Sequence, residues 1–213
     1  MKVSFSRLHF PTTTLGPGRR LGLWLQGCSI RCPGCISIDT WKPGGVVDLD
    51  DLLTAIDRYA PDSDGLTVSG GEPFDQPKPL AAILSHWRAC SKRSVLVFTG
   101  REFEELSGWF YENPGLVDAV ISGPFRADLP QTLALRGSDN QRLHILSDIG
   151  KEMIQFERPA EPEDRRLDVM FDEKGLPWMA GIPTRGDIAR LRRALATAGH
   201  SVVTSAELKA FHS

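Results

Sequence analysis

A chain of 213 residues is long enough to bury a core in one domain of ordinary size, with room for a small appendage. Its 41% hydrophobic and 24% charged content and its formal net charge of -2 describe a soluble globular protein without the basic excess that non-specific phosphate binding needs, so nucleic acid is not an expected partner. Met1 to Arg7 lacks the apolar stretch of a signal peptide, and no later stretch approaches the ~18 apolar residues of a membrane span. The expectation is a cytoplasmic chain with no membrane contact, whose thiols stay reduced.

In chain order, residues 6 to 20, with Pro11, Gly16, Pro17 and Gly18, read as an irregular entry segment. Leu21 to Leu25 is a short apolar run, expected to be a buried strand that releases the chain through Gln26 and Gly27 into a cysteine-bearing loop. Asp48 is placed as the N-cap of a helix in which Leu49, Leu52, Leu53 and Ile56 share one face. Leu66 to Val68 is the next strand, ending in Ser69-Gly70-Gly71-Glu72-Pro73. A second amphipathic helix carries Leu80, Ile83, Leu84 and Trp87, with Cys90 one turn further along and read as a core residue. His86 on that helix reads as an ordinary side chain.

Val95 to Phe98 predicts a third strand, ending in Thr99-Gly100 and followed by a short helix over 102–110. Leu116 to Ile121 predicts a fourth, ending in Ser122-Gly123-Pro124. Strands alternating with helices, each strand running out into glycine, predict parallel β/α units whose strand-end loops share one face. Arg142 to Leu146 is a further strand and 158–166 an exposed loop. Leu167 to Phe171 and Leu176 to Met179 flank Asp172-Glu173-Lys174-Gly175 as a hairpin, and Ile188, Leu191 and Leu195 mark a last helix closed by Gly199, before Val202-Val203.

Cys28, Cys32 and Cys35 carry the chemistry. Three thiolates on one short loop can hold three corners of an iron-sulfur cluster and leave the fourth iron open. A structural zinc would want a second cysteine pair, and only Cys90 remains; cluster, zinc and plain thiols stay open on spacing alone. Gly70-Gly71 lets a backbone approach a ligand closely, although such a turn alone is weak evidence.

Together, the three cysteines and the Gly-Gly-Glu-Pro turn on the next strand resemble the radical S-adenosylmethionine (SAM) superfamily. Gly16-Pro17-Gly18-Arg19, Leu23 to Cys28, Arg31-Cys32-Pro33-Gly34-Cys35, Thr40-Trp41, Phe98-Thr99-Gly100, Gly123-Pro124-Phe125 and Arg136 to Arg142 resemble, within it, the activating proteins of anaerobic ribonucleotide reductases. The resemblance spans roughly 14–147. It implies that Cys28, Cys32 and Cys35 bind a 4Fe-4S cluster and that Gly70, Gly71 and Glu72 line the methionine end of SAM. Ser69, Thr99, Gly100, Asn140 and Arg142 are further implied SAM contacts. Arg19, Arg20, Arg126 and Arg136 read as surface residues.

The resemblance further implies an α/β fold, an incomplete (β/α) barrel of mostly parallel strands. Residues 1–149 would form a radical SAM core domain, and 150–213 a hairpin-plus-helix extension packed on the same domain. The implied reaction is reductive cleavage of SAM to a 5'-deoxyadenosyl radical, fed by a flavodoxin or ferredoxin-type electron donor, to install a glycyl radical on a partner enzyme. Ser37 and Ser122 stand where that family usually has asparagine and aspartate. With the long tail they keep in view a radical SAM enzyme acting on a peptide, nucleotide or small metabolite; a non-catalytic zinc- or cluster-containing module that has kept the fold is a separate alternative.

Overall fold

Continuous apolar runs become strands buried on both faces, and in the computed structural model, which describes residues 1–171 and 175–200, they lie side by side at the centre. β1 (Lys2–Thr12), β2 (Arg20–Leu25) and β3 (Val46–Asp48) precede α1 (Leu49–Tyr59). β4 (Gly65–Gly70), α2 (Pro77–Cys90), β5 (Ser94–Phe98), α3 (Ser107–Glu112) and β6 (Ala119–Ser122) follow. β7 (Arg142–Ile145), a hairpin of β8 (Leu167–Phe171) and β9 (Pro177–Gly181), and α4 (Asp187–Thr197) complete the strands and α-helices among the described residues.

The main sheet has seven strands in the order β3-β1-β2-β4-β5-β6-β7. Strands β2, β4, β5 and β6 are parallel, whereas β1, β3 and β7 join antiparallel. The sheet is therefore mixed α/β, with a parallel centre and antiparallel flanks rather than mostly parallel strands. The β/α units place α1 and α2 side by side, where Leu52, Ile56, Leu80, Ile83, Leu84 and Trp87 pack against Leu21, Leu23, Leu66 and Val68.

Residues 6 to 12 belong to a strand, not to an irregular entry. The reason that they escape a period-two reading is a register shift between Phe5 and Arg7 in the pairing with β2. The shift returns Leu8 and Phe10 to the face already occupied by Val3 and Phe5, and all four pack on the same core. The amide of Gln76 secures this stretch: it accepts from the Ser4 N–H at 2.7 Å and donates to the Ser4 carbonyl at 2.9 Å.

Asp48 occupies the N-cap position of α1, but its carboxylate takes Lys2 Nζ at 2.7 Å instead of capping the helix. Cys90 is exposed, a correction to its placement in the core. At about 100° per residue it lies roughly 70° from the centre of the stripe made by Leu80, Ile83, Leu84 and Trp87, on the flank occupied by His86. In α4, none of whose residues is buried, the apolar spacing of Ile188, Leu191 and Leu195 does not produce a buried face among the described residues. Asp172, Glu173 and Lys174 at the hairpin tip, and Val202-Val203, lie outside the described residues.

Two arginines expected at the surface are wholly buried, Arg20 and Arg136. Arg20 sits beneath the parallel strands and donates to Thr67 Oγ1 (2.7 Å), Ser94 Oγ (2.9 Å) and the Leu66 and Ser94 carbonyls (2.8 and 3.1 Å). Gly65 makes this possible, since a Cβ there would collide with the guanidinium. Burial lowers the Arg20 pKa to about 10, with Glu152 at 3.6 Å pulling it back up. Arg136 likewise donates to the Ala134, Gln141 and Phe156 carbonyls and pairs with Glu157.

Replacing Arg20 by Met would orphan four acceptors on β4 and β5. The expected loss is about 3 kcal/mol of unfolding free energy, read from denaturant titration, with the midpoint moving and the slope unchanged.

Candidate functional site

The cysteine loop begins where β2 ends, and several separate tethers hold it. Gly27 N–H donates to the Thr40 carbonyl at 2.8 Å and Cys28 N–H to the Trp41 carbonyl at 3.2 Å, closing the loop on itself. Gln26 Nε2 donates to the carbonyls of Asp39 and Lys42 at 3.1 and 2.6 Å, and Arg7 of β1 pairs with Asp39.

Inside the loop, Arg31 adopts a left-handed backbone with φ of 54°, a conformation that costs a non-glycine residue energy and persists only where its surroundings impose it. That twist turns the Arg31 N–H toward Cys28 Sγ at 3.5 Å, while its Nε donates to the Cys28 carbonyl at 3.2 Å. The three thiols are unpaired and partly buried. Burial pushes the Cys32 and Cys35 pKa values up, and backbone N–H groups of Phe125 and Ser37 respectively pull them back. Each sulfur thus faces at least one N–H donor, the environment that stabilises thiolate ligands of an iron-sulfur cluster. The donor set fits such a group.

Gly70 and Gly71 lie against this loop. A Cβ on Gly70 would collide with the Leu25 backbone and one on Gly71 with the Gly27 carbonyl. The contact is sealed by Gly71 N–H donating to the Leu25 carbonyl and Glu72 N–H to the Gly27 carbonyl, both at 2.9 Å. The close approach expected of the glycine pair is an approach to the cysteine-loop backbone, and these two N–H groups are spent on it.

Glu72 is buried, and burial raises its pKa. Its carboxylate accepts from the Phe74 N–H (3.0 Å), Thr99 Oγ1 (2.8 Å) and the Gly100 N–H (2.9 Å), which tie the end of β4 to the end of β5. Gly100 in turn faces Ile30 of the cysteine loop, whose Cδ1 would stand 2.8 Å from a Cβ at that position. The strand ends of β2, β4 and β5 therefore meet as the sequence predicts, bringing together Cys28, Cys32, Cys35, Gly70, Gly71, Glu72, Thr99 and Gly100. Ser69 lies one residue back on β4, opposite Trp24.

The remaining expected residues stand on the neighbouring wall. Asn140 donates from Nδ2 to the Pro124 carbonyl at 2.8 Å, and its buried Oδ1 finds no hydrogen-bond partner among the described residues. Arg142 is exposed on β7, opposite Ser122. Ser122 bonds His144 Nε2 at 2.9 Å, and that imidazole stacks on Phe103 with centroids 4.0 Å apart. Burial lowers the His144 pKa, favouring the neutral ring.

Asp75 and Arg101 were not identified by the sequence. Asp75 accepts from Ser29 N–H (2.7 Å), Ser29 Oγ (2.8 Å) and Arg101 (2.6 Å), pinning the residue next to Cys28 to the loop after β5. The only signal was position, three residues beyond Glu72.

Comparison with known proteins bears on this arrangement. The family described as a 4Fe-4S single cluster domain matches residues 14–144. The anaerobic ribonucleoside-triphosphate reductase-activating protein of Salmonella typhi is 31% identical over 147 residues, covering 62% of this chain and 91% of that protein. The pyruvate formate-lyase-activating enzyme of Staphylococcus aureus is 45% identical over 71 residues, 30% of this chain and 28% of that protein. Among solved structures, QueE from Escherichia coli aligns with a TM-score of 0.39 at 20% identity, covering 46% of this chain and 53% of that chain.

Replacing Asp75 by Ala should leave the core folded yet free the loop. Amide exchange at Ser29 is expected to quicken by about tenfold or more, since a charge-assisted bond contributes about 1.5–3 kcal/mol. In a second test, Ser122→Asp should raise the His144 pKa by about one unit, a neighbouring carboxylate favouring imidazolium, as read by NMR titration of the ring.

Proposed function

The chain belongs to the 4Fe-4S single cluster domain family and, within it, to the anaerobic ribonucleoside-triphosphate reductase-activating proteins, and from that premise we propose that it is a radical SAM enzyme that installs a glycyl radical on a partner enzyme. The observation that carries the reading is the meeting of the three-cysteine loop with the Gly70-Gly71-Glu72 turn, sealed by two backbone hydrogen bonds at 2.9 Å. Cys28, Cys32 and Cys35 are the cluster ligands in this assignment. When bound, the cluster and SAM together supply a single-electron cleavage of the sulfonium and the radical equivalent that removes a hydrogen atom from glycine.

The work of the chain itself is positional. Asp75 and the Thr40 and Trp41 carbonyls hold the loop at the mouth, and the Arg31, Phe125 and Ser37 N–H groups donate toward the sulfurs, lowering the cost of holding three thiolates together. Glu72, locked to Thr99 and Gly100, keeps the mouth between β4 and β5 from moving.

Ser69, Gly70, Gly71, Glu72, Thr99, Gly100, Asn140 and Arg142 form the SAM side of the site in this reading. The partnerless Asn140 Oδ1 supports an acceptor role toward a hydroxyl or amino group, and the exposed Arg142 a contact with an anionic one. In this reading the sheet curves as an incomplete barrel, open at the side so that a protein loop can reach the mouth; the parallel order of β2, β4, β5 and β6 supports it. Residues 1–149 act as the core domain and 150–213 as an extension, whose described residues pack on it. Met170 and Ala180 against Leu15 and Trp24, and Asp168 accepting from Thr13 and Thr14, support that packing. The electron donor is of flavodoxin or ferredoxin type, and the site of action is the cytoplasm. No helix among the described residues is long and apolar enough to cross a membrane.

Anaerobically reconstituted protein, reduced in the presence of SAM, should release methionine and 5'-deoxyadenosine, and Cys32→Ala should lower that rate by at least ~10³-fold. With a glycyl-radical enzyme added, electron spin resonance should show a protein-centred doublet. 5'-Deoxyadenosine formed in proportion to a modified small molecule, without any such partner, would replace this reading with a small-substrate enzyme.

A further inference from the structure

Outside the strand-end mouth, the described residues contain one group of side chains that converge as metal ligands do. Asp57 on α1 and His86 and Cys90 on α2 bring one carboxylate oxygen, one imidazole nitrogen and one thiol within 4.8 Å of one another. We propose that these three residues form a second metal site, for a single zinc-class divalent cation, that clips α1 to α2.

The placement follows from helix geometry. His86 and Cys90 are four residues apart, so they stand one above the other on the same flank of α2, beside the buried stripe and not within it. Asp57 directly follows the buried Ile56 and so falls on the flank of α1. The two flanks face each other, and His86 Nε2 already bonds Asp57 Oδ1 at 2.7 Å. All three residues are at least partly exposed, leaving a path for an ion and room for a water as fourth ligand.

The ligand chemistry selects the ion. One thiolate, one imidazole and one carboxylate are the nitrogen, sulfur and oxygen donors of borderline-soft zinc, whereas calcium and magnesium want oxygen alone. Tetrahedral bonds of about 2.0–2.3 Å put ligand atoms about 3.3–3.6 Å apart, which small side-chain rotations from the observed arrangement reach. Thiolate, not thiol, is the ligand form of cysteine, so an ion bound here would displace the Cys90 proton.

The location separates this site from the first. Asp57 lies near the end of α1, shortly before β4 begins at Gly65, and Cys90 ends α2, shortly before β5 begins at Ser94. The trio therefore stands at the amino-terminal rim of the parallel strands, across the fold from the cysteine loop. A metal here would brace the helical layer rather than take part in the chemistry of the mouth.

The test uses protein already carrying its iron-sulfur cluster, so that the loop thiols are occupied, and zinc as the probe. One additional zinc per chain is expected, with an X-ray absorption edge showing one sulfur and otherwise nitrogen and oxygen. Cys90→Ser and His86→Ala should each weaken zinc binding by at least ~100-fold in calorimetric titration, beyond the loss that follows removal of an outer-shell partner. Their iron content should match the parent's. Zinc should raise the melting temperature of the parent and not of the variants. Equal affinity in parent and Cys90→Ser, an edge with three sulfurs, or no saturable zinc binding would each overturn the site. Iron content and SAM cleavage are read separately, so loss of the zinc site leaves the assignment of the mouth standing.

Discussion

The arrangement at the mouth depends on one backbone contact, that of Gly70 and Gly71 with the end of β2. Only residues without a Cβ let β4 run that close to Leu25 and Gly27. Because the chain leaves β2 straight into the cysteine loop, the same contact sets where that loop starts. Because Glu72 comes next, it also decides where the carboxylate points. A side chain at either glycine would push apart the two segments that carry the cysteines and the Glu72 anchor.

Around that contact, charge is placed in the interior and held by several partners at once. Arg20 spans β4 and β5 below the mouth, Glu72 joins them at it, and Arg136 gathers the carbonyls of the segment that faces the loop. A buried charge with every donor or acceptor engaged adds little net stability over an apolar replacement, but it penalises any arrangement in which one partner is missing. Buried polar knots of this kind favour one register of loops over many, and a site built from three strand ends needs that precision.

The flanks serve the same end by covering. β1 and β7 pair antiparallel on the two sides of the parallel strands. The hairpin of β8 and β9 lays Trp178 edge-on against Trp24 with centroids 5.0 Å apart and buries Met170 and Ala180 beside it. One stripe of α1 and one of α2 are committed to the core, and it is the flanks beside those stripes that carry Asp57, His86 and Cys90.

What the sequence determined by itself is local. Apolar stripes at helical spacing placed α1 and α2, short apolar runs ending in glycine placed β2, β4, β5 and β6, and cysteine spacing with the Gly-Gly-Glu-Pro turn located the mouth. These patterns repeat within a few residues, so the chain displays them without its partners. Only the tertiary structure decided the rest. The register shift in β1 hid a strand by breaking its alternation, and the antiparallel flanks depend on which edge was free. Arg20 and Arg136 are buried because distant carbonyls and a distant glycine make room for them. Asp75 matters because Ser29, 46 positions earlier, and Arg101, 26 later, both reach it. Cys90 left the core for a rotation of about 70° that the stripe alone did not resolve. Burial and hydrogen bonding are properties of pairs brought together by folding, and composition and spacing along one chain do not contain them.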